Sequence, residues 1–319
     1  MAVNYEELRL ERIASLDPVR RAQYENRRPP LRQMTVADMR ARNASLQGPP
    51  TADPSVPFYD VSIPGPNGPV PTRIYNPKGG AEPKGIYIHI HAGGYIMLGG
   101  LDTLINQNTS IAQETGCIVV APDFRLPPEH TFPTGLYDCW AVTQWVGDNA
   151  RKIGGDPDRI GIGGACTGGS FAAVLALMAR DAGAPKIAAQ YLAATVFDCR
   201  CDYKSHVENG DGYTLSHDDD AYVIELYLKD MEHRWDWRAS PILAPSVRGV
   251  APAYIYVGEW DVLRDESKAY ADRLRDAGVD VTLRIFPQES HQVSAVTTPI
   301  MRNEMHEFLR RHLSPSSTA

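Results

Sequence analysis

From residue 85 onward, six short apolar runs recur along the chain, separated by stretches patterned for helix. They are GIYIHIH (85–91), CIVVAPDF (117–124), RIGIGG (159–164), IAAQYLAATVFD (187–198), AYIYVG (253–258) and VTLRIFP (281–287). Such runs, rich in β-branched and aromatic residues, are the pattern of strands buried on both faces. Helix patterns lie between them at 101–116, 134–153, 167–182 and 265–277, and a last one closes the chain at 301–312. Alternating strands and helices predict βαβ units and a mostly parallel central sheet flanked by helices, an α/β fold. Two further strand patterns, PFYDVSIPG (57–65) and PVPTRIYN (69–76), precede the alternation, and residues 1–50 read as helical. The pattern breaks after residue 198 and resumes near 241. The predicted organisation is therefore an N-terminal helical segment (1–50), a first core part (51–198), an insertion (199–240) and a second core part (241–319).

Composition narrows the function classes. The 319 residues are 43% hydrophobic and 22% charged, and the net charge is −7. That balance fits a globular domain with a large core and argues against a nucleic-acid footprint. The one basic stretch, RRAQYENRRPPLR (20–32), reads as a solvated helix end. No apolar leader opens the chain, and no run approaches the ~18 apolar residues of a membrane span. Five cysteines, an odd number without dense spacing, predict free thiols and a cytoplasmic setting. Cys199 and Cys201 read as structural. His89 and His91 share a strand face but have no third ligand at suitable spacing, so no metal and no cofactor is expected. In SHDDDAYVIELYL, Ser216 reads as an N-cap with Asp218, Asp219 and Asp220 in the first helical turn. The alternative, a calcium loop, lacks the alternating ligand spacing and the glycine.

The chemistry centres on GIGGACTGGS (161–170). As a dinucleotide fingerprint it has Cys166 where the third glycine belongs; as a phosphate loop it has Gly169 where the lysine belongs. The remaining reading is a nucleophile elbow, Gly164-Ala165-Cys166-Thr167-Gly168, at a strand–turn–helix junction. Its glycines permit the sharp turn and its central side chain stands above the sheet. The Thr167 N–H can donate to an oxyanion, and the helix N-terminus favours negative charge on the sulfur. Taken alone, Cys166 is more simply a small buried thiol. Two other segments supply partners. HAGGY (91–95) places Gly93 and Gly94 on a loop after a strand, where their N–H groups can meet a developing oxyanion. Asp261 follows one strand in VGEWDVLRDES, and His291 follows the last strand in FPQESHQV. Singly these are a turn aspartate and a loop histidine. In the order nucleophile, acid, histidine, and all at carboxyl ends of strands, they form a candidate triad.

These segments resemble the hormone-sensitive-lipase-like family of α/β-hydrolases. The resemblance rests on His91-Ala92-Gly93-Gly94-Tyr95, DFRLPPEHTFPTGLYDC, GGACTGGS, DWRASPILA, WDVLRDESKAYADRLRDAGVDV and His291, and extends over residues 20–313 with the helical piece PPLRQMTVADMRARNASL. It implies the α/β-hydrolase fold, a helical cap formed by 1–50 and 199–240, an esterase triad, an oxyanion hole from the glycine loop, and a possible homodimer through the sheet edge. The sequence departs from the family where it matters most. Cys166 replaces the serine, Ala165 the preceding aspartate, Thr167 the following alanine, Ala92 the first loop glycine, and Gln292 the glycine often found after the histidine. Several coordinated departures point to natural divergence.

A Cys166-Asp261-His291 triad on this scaffold also resembles dienelactone hydrolase. A thiolate is strongly nucleophilic and a good leaving group, so plain alkyl esters should suffer while enol lactones, aryl esters and thioesters suit it. Hydrolysis of such an activated small molecule is the leading expectation. Acyl transfer, or a non-hydrolytic cyclisation, elimination or C–C cleavage at the same site, is the second. A catalytically silent small-molecule receptor is the third, and the retained acid and histidine count against it. Gly93, Gly94 and Thr167 are assigned to the oxyanion, and Tyr95, Asp198, Tyr213 and Trp237 to substrate contact.

Overall fold

The computed structural model of the chain describes residues 4–25, 29–47, 49, 53–80, 82–211 and 213–315. Residues 26–28 of the basic stretch and the expected segment boundary at 50/51 lie outside these. Eight strands form one sheet: β1 (Phe58–Ile63), β2 (Val70–Tyr75), β3 (Lys84–Ile90), β4 (Ile118–Pro122), β5 (Gly155–Ala165), β6 (Ile187–Ala193), β7 (Ala253–Gly258) and β8 (Val281–Phe286). Their spatial order is β1-β2-β4-β3-β5-β6-β7-β8. The pairs β1/β2 and β2/β4 are antiparallel, and all the others are parallel. This is the α/β-hydrolase fold, with the two early strands forming an antiparallel edge on the parallel sheet.

The strand pattern has a simple cause. In β3, every residue is buried, and alternate side chains enter opposite layers. Ile86, Ile88 and Ile90 pack with Val120, Leu136, Leu175 and Ile255 on one face; Tyr87 packs with Val119, Tyr191, Phe308 and Leu309 on the other. Each such aliphatic or aromatic side chain contributes about 1.5–3 kcal/mol by leaving water. Helices α5 (Thr134–Asn149), α6 (Thr167–Ala182) and α9 (Arg264–Asp276) supply the first layer; α4 (Ile105–Thr115) and α10 (Thr298–Leu313) supply the second. Helix α4 starts four residues later than its pattern suggests, because Leu104 is left-handed, with φ of 57°, and ends the helical run upstream.

Helices α1 (Tyr5–Ala14), α2 (Pro18–Glu25), α3 (Val36–Ser45), α7 (Lys204–Glu208) and α8 (His217–Leu228) come from the two segments outside the alternating core. The Ser216 side chain caps α8, accepting from the Asp219 amide at 3.0 Å. Two small apolar clusters join α1, α2, α3 and α8 to the core. Ile13, Leu16 and Tyr24 meet Tyr213 and Trp260, and Met39 meets Ile96 and Val223. Among the described residues, no helix is long and apolar enough to cross a membrane. All five cysteines are free thiols.

Candidate active site

Strand β5 runs into α6 through Cys166, whose backbone angles, φ 53° and ψ −122°, are rare for a residue with a side chain. The turn is possible because the elbow crosses the end of β3 in close contact. A Cβ on Gly164 would lie 2.8 Å from the Gly168 carbonyl carbon, and one on Gly168 would lie 2.7 Å from the His91 oxygen. Glycine is therefore a steric requirement on both sides of the cysteine. The Ser170 amide donates to the Cys166 carbonyl at 3.1 Å, so the first turn of α6 begins at the thiol-bearing residue. Its macrodipole favours negative charge there.

The other triad candidates converge on this point from β7 and β8. Asp261 is fully buried; its Oδ2 lies 3.0 Å from His291 Nδ1, and its Oδ1 accepts the Leu263 amide at 3.1 Å. Asn209 donates to the Asp261 carbonyl at 3.0 Å and fixes the turn. With Nδ1 committed to Asp261, Nε2 of His291 is left for Cys166, which faces the same cavity. Burial works against the imidazolium. The Asp261 carboxylate and the Cys166 sulfur outweigh it and hold His291 well above its ordinary pKa. Cys166 and His291 both line a cavity of about 260 Å³. Its walls include Gly93, Gly94, Met39, Leu215 and Val223, so both outer segments contribute to it. The glycine loop is tied to the elbow by the Tyr95 amide, which donates to Thr167 Oγ1 at 3.2 Å.

Four expected substrate contacts lie elsewhere; none lines this cavity. Tyr95 is buried beneath the loop, stacked on Tyr227 with ring centroids 3.7 Å apart. Asp198 is fully buried and accepts from Arg200 Nε at 2.7 Å. Tyr213 stacks on Trp260 behind the Asp261 turn, and its hydroxyl accepts from Arg12. Trp237 lines a surface recess with Tyr137, Met178 and Trp235. In each case an aromatic or acidic side chain found a packing or ionic partner within the protein.

Sequence reading also missed a clamp on the histidine loop. Glu289, fully buried, accepts from Arg20 Nε at 2.8 Å, the Ser294 hydroxyl at 2.6 Å and amide at 2.7 Å, and the Thr297 hydroxyl at 2.5 Å. The Tyr24 hydroxyl accepts the Ser290 amide at 3.0 Å. Helix α2 thus holds the loop that carries His291. No local motif announces a contact between residues 269 positions apart. Ala165, where the resembled motif has an aspartate, borders both the catalytic cavity and a second one of about 500 Å³ behind the elbow, lined by His89, Tyr191 and Met305. Burial lowers the pKa of both His89 and His91 to about 4, which keeps them neutral.

Comparison with known proteins agrees with this architecture. Residues 87–295 match a family described as having the alpha/beta hydrolase fold. Carboxylesterase NlhH of Mycobacterium tuberculosis is 35% identical over 257 residues, 79% of this chain and 80% of that protein. The arylesterase of Saccharolobus solfataricus is 32% identical over 245 residues, 73% of this chain and 79% of its own. Among solved structures, a bacterial heroin esterase superposes with a TM-score of 0.88 at 29% identity, covering 95% of this chain and 99% of that one.

Proposed function

This chain belongs to the α/β-hydrolase family, with carboxylesterases and ester hydrolases among its relatives, and we propose that it hydrolyses activated esters through a thioester on Cys166. The observation that carries the reading is the convergence of buried Asp261, half-buried His291 and Cys166, with the sulfur at the apex of a strained elbow and open to a 260 Å³ cavity. Relatives named as esterases support the reaction class; the thiol argues for the substrate range.

Each side chain then has a defined task. The Cys166 sulfur attacks the acyl carbon while its proton resides on His291. Asp261 orients the imidazole and stabilises its charge. The N–H groups of Gly93, Gly94 and Thr167 receive the oxyanion. The leaving group takes the proton from His291, which next removes one from water as that water attacks the thioester. Because thiolate leaves more readily than alkoxide, a tetrahedral adduct on Cys166 reverts unless the substrate's own leaving group is at least comparable to a thiolate. Aryl esters, enol lactones and thioesters meet that condition and plain alkyl esters do not. Residues 1–50 and 199–240 act as the cap that closes the acyl pocket.

Pre-steady-state release of the leaving group from an aryl ester tests this. A burst of one equivalent, followed by slower turnover and abolished in Cys166→Ala, is expected. Equal turnover by Cys166→Ala would overturn it. A burst whose decay requires an added amine or alcohol would replace hydrolysis by acyl transfer.

A further inference from the structure

A second buried cluster lies beside the catalytic cavity and takes no part in the triad. It joins Cys201, which follows β6, to His206 on α7 and Asp220 on α8, all three buried. Among the described residues these are the one group of three such side chains whose ligand atoms lie within 4.8 Å of one another. Asp220 Oδ2 lies 3.4 Å from Cys201 Sγ and 3.4 Å from His206 Nε2. A tetrahedral ion with bonds of about 2.0–2.3 Å has ligand–ligand edges of about 3.3–3.7 Å, which these separations match.

The cluster is short of both hydrogen bonds and positive charge. The His206 side chain is 1% exposed, yet neither ring nitrogen has a hydrogen-bond partner. Glu266, on α9 and fully buried, accepts the Phe197 amide at Oε1, while its Oε2 lacks a hydrogen bond 3.9 Å from His206 Nε2. Two buried carboxylates and a buried thiol thus share an interior with one buried imidazole, with the half-buried His217 ring edge-on to it at 5.4 Å, an arrangement that is costly without a counter-ion. Arg200, near in sequence, is engaged with Asp198.

We propose that Cys201, His206 and Asp220 bind a divalent ion of the zinc class. The donor set of one thiolate, one imidazole and one carboxylate suits zinc and disfavours magnesium and calcium. Binding converts the Cys201 thiol to thiolate and releases its proton to solvent, with no change of oxidation state. Glu266 stands just outside the ligands as a further negative charge. Asp220 and Val223 on α8 also line the catalytic cavity, so the ion would fix one wall of the acyl pocket. The proposal replaces both the expectation of no metal and the structural reading of Cys201.

The test is metal binding by the full chain after chelator treatment. Zinc stoichiometry is measured by equilibrium dialysis, and cobalt(II) reports the ligands through its thiolate charge-transfer absorption. Wild type and Cys166→Ala should each bind one ion, show the thiolate band and gain resistance to denaturant with zinc. Cys201→Ser and His206→Gln should lose at least about tenfold in affinity, and Cys201→Ser should lose the band. Comparing Cys166→Ala with wild type separates this site from the catalytic thiol without disturbing the buried cluster. Folded wild type that binds no zinc, or a thiolate band removed by Cys166→Ala, would overturn the proposal.

Discussion

Replacing Asp261 by asparagine isolates the charge that supports His291. The side chain is fully buried and Oδ2 stands 3.0 Å from Nδ1. Asparagine preserves volume and can keep an acceptor on Leu263, so the main loss is the carboxylate charge. Unit charges at that distance attract by about 5 kcal/mol at an effective dielectric near 20. Burial of the pair offsets part of this. Since about 1.4 kcal/mol is a factor of ten in rate, kcat/KM should fall by about 10³–10⁴ for an aryl ester. The pH profile supplies the second readout. His291 is held above its ordinary pKa against burial, by Asp261 and by the Cys166 sulfur. Removing Asp261 lowers the pH at which the imidazolium proton is lost, so the basic limb of the profile moves toward lower pH. Circular dichroism and full alkylation of Cys166 confirm an intact elbow. A folded variant with more than about a tenth of wild-type kcat/KM and an unmoved basic limb would refute the reasoning.

Other substitutions probe the remaining parts. Cys166→Ser keeps the elbow but exchanges the leaving group; the preference for thioesters over matched alkyl esters should fall at least about tenfold in relative kcat/KM, and an unchanged ratio would contradict the thiol argument. Gly93 has φ of 118°, and a Cβ there would lie 2.9 Å from the Leu98 amide nitrogen. Gly93→Ala should therefore displace the oxyanion loop and lower kcat by about 10²–10³ with little change in KM, as steady-state kinetics would show. Glu289→Ala leaves Arg20, Ser294 and Thr297 without their shared acceptor; denaturant titration should show a loss of about 3 kcal/mol, and kcat should fall more than KM rises.

The legibility of this chain follows the range of the interactions. Strands such as β3 and β7 are buried at every position, so their apolar runs identify them without knowledge of the partners. The elbow is legible for a related reason: the close crossing at Gly164 and Gly168 imposes glycine at fixed spacing around Cys166. Asp261 and His291 could be chosen because strand ends mark them. Beyond those positions, local pattern carries little. The aromatic character of Tyr213 and Trp237 signals burial or contact but does not name the surface: Tyr213 backs the Asp261 turn and Trp237 lines a recess without Cys166. The clamp from Arg20 and Tyr24 to the histidine loop, and the meeting of Cys201, His206 and Asp220, depend on tertiary placement alone. A basic residue near one terminus, here Arg20 in a stretch of arginines, predicts nothing about a carboxylate near the other.

Intact-mass spectrometry of the protein quenched during turnover of an aryl ester, followed by peptide mapping, tests the central claim most directly. The account predicts one acyl adduct per chain, on the peptide that contains Cys166, released by hydroxylamine and absent from Cys166→Ala. Turnover without an adduct on that peptide, or an adduct that persists in Cys166→Ala, would contradict it.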